Sequence, residues 1–134
     1  MYKHTLSVDG EYLAKEQSLP QNTSADGNGV ALDLRGSMGG VEIVARATDD
    51  ISIAATKSLS ITLQHKDEGG AYADLGEVFA VTAGAEDAWT AESGEILGRF
   101  VPATDVKEHL KVVLATDDAA ASGAVSVLPT YLAR

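Results

Sequence analysis

The chain has 134 residues, 45% of them hydrophobic, no cysteine, and a formal net charge of −10 from twenty acidic against ten basic residues. That length suits one domain with a core of its own. The missing thiols exclude disulfides, thiolate metal sites and a cysteine nucleophile, and the excess of carboxylates disfavours a nucleic-acid partner. No stretch approaches the roughly 20 consecutive apolar residues of a membrane helix, and MYKHTLSVDGEYLAKEQ lacks the apolar centre of a secretory leader, so neither membrane association nor export by that route is expected.

Residues 1–28 carry apolar side chains thinly, at Tyr2, Leu6, Val8, Tyr12, Leu13 and Leu19, and no period persists. This predicts an N-terminal arm over 1–28 ahead of a folded domain over 29–134. Ser24-Ala25-Asp26-Gly27-Asn28-Gly29 is a dense turn signal. Alternation begins at Val30, with Leu32 and Leu34 on the same face, and resumes after Gly36, Gly39 and Gly40. There Val41, Ile43, Ala45 and Ala47 oppose Glu42 and Arg46.

Ser58–Thr82 reads as a hairpin. Leu59, Ile61, Leu63 and His65 alternate with Ser60, Thr62, Gln64 and Lys66, the pattern of a half-buried strand, and Asp67-Glu68-Gly69-Gly70 supplies a solvated turn. The second limb is less regular, with Val78, Phe79 and Val81 placing apolar groups on both sides, and is expected to be covered on both faces.

Residues 83–95 read as a long acidic loop around Trp89, the single tryptophan, and 96–101 as a short strand ended by Pro102. Thr104–Lys107 suits one helical turn with Thr104 as its cap. His109–Thr116 alternates again through Leu110, Val112 and Leu114. Residues 117–123 are too short and glycine-ended for a helix, and Ala124–Tyr131 closes with Val125 and Val127 on one face, Ser126 and Leu128 on the other. The acidic pairs Asp49-Asp50, Asp67-Glu68, Glu86-Asp87 and Asp117-Asp118 are expected in turns, as a solvated rim. Seven or eight strands without an amphipathic helix predict an all-β fold, an antiparallel β-sandwich or jelly roll of about eight strands.

Catalytic and ligand motifs are lacking. Gly36-Ser37-Met38-Gly39 fails the G-x-S-x-G spacing, and His4, His65 and His109 share no local metal-ligand spacing. Asp26-Gly27-Asn28 opens like a calcium loop, but its fifth position is Val30 and its twelfth Ser37. No phosphate-cradling glycine motif precedes a helix. The chain is therefore expected to be no enzyme, with no metal, cofactor or small-molecule substrate.

In order along the chain stand Leu13–Leu19, Asn22-Thr23-Ser24, Val30-Ala31-Leu32-Asp33-Leu34, Ile61-Thr62-Leu63-Gln64, Asp67–Gly70, Asp74-Leu75-Gly76, Leu110-Lys111-Val112 and Ala124–Leu128. Over residues 12–131 this succession resembles the small jelly-roll cement, or head-decoration, proteins of tailed bacteriophages, such as that of the Bordetella podophage. Residues 1–11 and the loop around Trp89 have no clear counterpart. The resemblance implies a non-enzymatic structural protein of the virion, made in the host cytoplasm and placed on the outer capsid surface. It would bridge subunits of the major capsid protein and assemble with copies of itself as a homotrimer. Tyr2, Leu6, Val8, Tyr12, Leu13 and Trp89 are the candidate interface residues. The alternative is a non-catalytic carbohydrate-binding β-sandwich module in which Trp89 stacks on a sugar.

Overall fold

The alternating segments, where described, are strands. A computed structural model of the chain describes residues 5–7, 13–29, 32–33, 41–66, 69–101 and 109–132. Among these lie eleven strands and no helix: β1 (Thr5–Ser7), β2 (Ala14–Ser18), β3 (Thr23–Asp26), β4 (Leu32–Asp33), β5 (Val41–Ile53), β6 (Ser58–Lys66), β7 (Ala73–Thr82), β8 (Trp89–Ala91), β9 (Ile96–Phe100), β10 (His109–Thr116) and β11 (Ser122–Leu132). They form two antiparallel sheets packed face to face, a β-sandwich.

In the first sheet β11 and β5 are central, with β1 and β2 sharing the outer flank of β11, and β8 and β9 sharing that of β5. In the second, β10 and β6 are central, flanked by β3 and β4 on one side and β7 on the other. Period-2 alternation aims one row of each strand at the opposite sheet. From β5 and β11 these are Ile43, Ala45, Ala47, Ile51, Ile53, Val125 and Val127; from β6 and β10, Leu59, Ile61, Leu63, Leu110, Val112 and Leu114. All of them are at most 1% exposed, and they form one contiguous core.

The hairpin Ser58–Thr82 pairs as expected, Ser58 opposite Thr82 and His65 opposite Ala73. Its irregular limb has a different cause from the one expected. The register slips between Ile61 and Thr62 and again between Leu63 and Gln64, each slip adding one residue to β7. These two bulges let the adjacent apolar residues Leu75, Val78, Phe79 and Val81 serve one core, and Ala80 and Glu77 between them remain exposed. The turn residues Asp67 and Glu68 lie outside the described residues, as do residues 102–108.

Three other expectations are corrected. Asp49 and Asp50 lie inside β5, where two register shifts against β11 bulge them outward, so a 13-residue strand bends without a turn. Trp89 begins a strand, β8, paired with Ile53. The segment 1–28 supplies β1, β2 and β3, so it contributes to both sheets. Among the described side chains of this stretch, Leu13, Ala14 and Leu19 are buried in the core.

Pro129 sits within central β11, an unusual place for a residue with no N–H. It falls between the register of β2, which reaches Val127, and that of β1, which begins at Thr130, so the described ladder on that flank is interrupted there.

Leu63→Ala removes a fully buried side chain at the centre of this core and is expected to cost about 2–5 kcal/mol, whereas Ser60→Ala on the opposite face of β6 should stay within about 0.5 kcal/mol. Urea unfolding of both variants checks the pair.

Candidate interaction surface

Of the six candidate interface residues, Tyr2, Val8 and Tyr12 lie outside the described residues. Leu6 is placed by its backbone, opposite Tyr131 in the β1–β11 ladder. Leu13 is 2% exposed and part of the core, so its side chain is no contact surface. Trp89 is half-buried. Its ring meets Phe79 at 5.4 Å between centroids and 38° between planes, joining β8 of one sheet to β7 of the other. Of the two whose side chains are described, Leu13 is in the core and Trp89 lies at the β7–β8 contact.

That contact belongs to a seam along one side of the sandwich, where β7 and β9 close against each other without a ladder between them. Gly98 and Gly76 make that approach feasible. A Cβ on Gly98 would run into the Val78 carbonyl oxygen, and one on Gly76 would press on the Phe100 ring. Phe100 covers one end of the seam and the Phe79–Trp89 pair the other, with Leu97 packed on the core between. Beside it stand Ile96 at 45% and Val101 at 55% exposure. Asp74, Glu77, Glu86, Asp87, Glu92 and Glu95 are exposed in the surrounding strands and loops.

The outer face of the second sheet is polar. Lys111 reaches Asp26 at 3.1 Å across β10 and β3, and its ammonium lies 4.5 Å from the centroid of Tyr72, which also faces Lys66 at 5.1 Å. Such exposed pairs contribute up to about 1 kcal/mol each.

At one end of the sandwich, two adjacent aspartates join three connections. Asp118 is 4% exposed, and its Oδ2 accepts the Ala54 N–H at 2.8 Å, while its Oδ1 accepts that of Ala120 at 2.8 Å in an Asx turn. Its backbone oxygen accepts the N–H of Asn22, and its own N–H donates to Thr116 Oγ1. Asp117 Oδ1 accepts the Ser58 N–H at 2.7 Å, and this bond above all holds its carboxyl below the ordinary aspartate value. The β5–β6 turn is fixed to the β10–β11 connection by these bonds; within it Thr56 takes φ 68°, where a β-branched residue is strained, and its N–H donates to the Gly84 oxygen at 3.0 Å. Read as solvated turn acids, Asp117 and Asp118 gave no local signal of this role, since their partners are some 60 residues away in sequence.

Among the described residues no group of three or more His, Asp or Glu side chains is placed to hold a metal ion. His65 is paired with Leu110 and His109 with Lys66, so pleating sends the two imidazoles to opposite faces of the second sheet. Gly36–Gly39 lies outside the described residues. No family model matches the chain, and no curated protein matches it either.

Asp118→Ala leaves the Ala54 and Ala120 amides without an acceptor and should cost about 2–3 kcal/mol, with Asp118→Asn milder because one acceptor remains; thermal unfolding at neutral pH reads both. Because Asp117 titrates lower when folded, its contribution is complete above the ordinary carboxyl range and is lost as pH falls through the depressed value. Asp117→Asn should therefore flatten the acid limb of the stability profile between those two values, seen as a smaller fall in melting temperature on acidification than the parent chain shows.

Proposed function

We propose that the chain is a structural virion protein that decorates the outer surface of a phage capsid, bridging subunits of the major capsid protein, and that it assembles with copies of itself as a trimer. The observation that carries this reading is strand order. With β1 and β2, β3 and β4, and β8 and β9 each taken as one position, the eight positions run 1-8-3-6 in the first sheet and 2-7-4-5 in the second. That succession supports two Greek keys wound as a jelly roll, an architecture used in viral shells. The segments that carry the resemblance to cement proteins fall on its strands: Ile61–Gln64 on β6, Asp74–Gly76 on β7, Leu110–Val112 on β10 and Ala124–Leu128 on β11.

Such a protein needs no reaction. Each copy buries surface across a joint between coat subunits, and many modest interfaces acting together oppose expansion of a shell under internal pressure. Ile96 and Val101 offer exposed apolar contact beside the seam. Trp89, held against Phe79, serves the seam and makes a poor sugar platform.

Heads purified from the virus that encodes the chain are expected to contain it in a fixed ratio to coat protein, and heads stripped of it should release DNA at a lower temperature. Its absence from purified heads would overturn the reading. Sedimentation equilibrium of the isolated chain tests the trimer, and a monomer at concentrations where shells are saturated would remove self-assembly before docking.

A further inference from the structure

Asn28 is followed by Gly29, and this dipeptide is the most reactive amide pair in the chain, since glycine has no side chain to keep its nitrogen from the preceding Cγ. The fold engages both polar atoms of the Asn28 side chain and the Gly29 nitrogen. Asn28 Oδ1 accepts the Lys15 N–H at 2.8 Å and Asn28 Nδ2 donates to the Lys15 oxygen at 3.2 Å, so the side chain imitates a strand partner for β2. The Gly29 N–H, whose nitrogen would be the nucleophile, donates to the Leu13 oxygen at 3.0 Å. Gln17 completes the bridge: its Oε1 accepts the Asn28 N–H at 2.8 Å and its Nε2 donates to the Asp26 oxygen at 3.0 Å. These bonds tie β2, in the first sheet, to the loop after β3, in the second.

We propose that Asn28–Gly29 is a modification site, a spontaneous deamidation held off by this bridge and released when β2 detaches. In the opened state the Gly29 nitrogen gives its proton to water or hydroxide and bonds to Asn28 Cγ. The Cγ–Nδ2 bond breaks, ammonia leaves, and a cyclic imide remains. Water then opens the ring at either carbonyl, giving aspartate or isoaspartate, with no change of oxidation state. The product does not restore the bridge, because the donor that met the Lys15 oxygen is now a carboxylate oxygen and the two repel. An isoaspartate also lengthens the backbone by one methylene. Deamidation thus converts a reversible opening of the N-terminal strands into a lasting one, and its rate in the native chain reports the local opening equilibrium of β2.

The full chain is incubated at mildly alkaline pH with and without denaturing urea, then digested and mapped by mass spectrometry, with isoaspartyl methylation to mark the rearranged product. Residue 28 should convert at least about tenfold more slowly in the native chain than in urea. Gln17→Ala, which removes two bonds of the bridge and no core side chain, should speed the native reaction and leave the rate in urea unchanged. Gly29→Ala should suppress conversion in urea. Equal rates with and without urea, conversion confined to Asn22, or a Gln17→Ala variant no faster than the parent would each overturn the proposal.

Discussion

The structure depends on one constraint, the burial of two facing rows of aliphatic side chains. Leu59, Ile61, Leu63, Leu110, Val112 and Leu114 press on Ile43, Ala45, Val125 and Val127 with no measurable exposure. Leucine dominates the inward rows of the second sheet, whereas those of the first mix isoleucine with alanine and valine, and the small Ala45 and Ala47 leave space for the larger side chains opposite. Four central strands, β5, β6, β10 and β11, carry this contact, and every other strand is positioned by pairing with one of them.

The two sides of the sandwich are closed by different means. On the side of β7 and β9 the sheets meet through a backbone approach at Gly98 and an aromatic pair at Phe79 and Trp89. On the side of β2 and β3 the closure is polar, made by Asn28 and Gln17 reaching backbone groups. At the end, Asp117 and Asp118 hold turns that would otherwise leave amides without acceptors. Apolar closure resists water at any pH, whereas the polar closures depend on the chemical state of single amides and carboxylates.

Strands with one buried face are legible in the sequence. The limits of β6 and β10, the hairpin to β7 and the inward rows of β5 and β11 follow from alternation, because a strand in a two-layer protein repeats its environment every second residue. Elements that break the period were misread. Glu16 takes φ 45° in a bulge of β2 where the Ser126 hydroxyl accepts its N–H, and Asp49-Asp50 interrupts β5 without ending it. Neither event has a local signature, since a bulge is set by the register of its neighbour.

The sequence by itself determined that this chain is an all-β protein with a leucine-rich inner face, because hydrophobic periodicity is a local property of each strand. Only the tertiary structure decided which acids are solvated and which are structural, why Gly98 must be glycine, and that the sparse first 28 residues contribute strands to both sheets. Those outcomes rest on contacts between segments far apart in the chain, where a residue's role is set by the partner that folding brings to it.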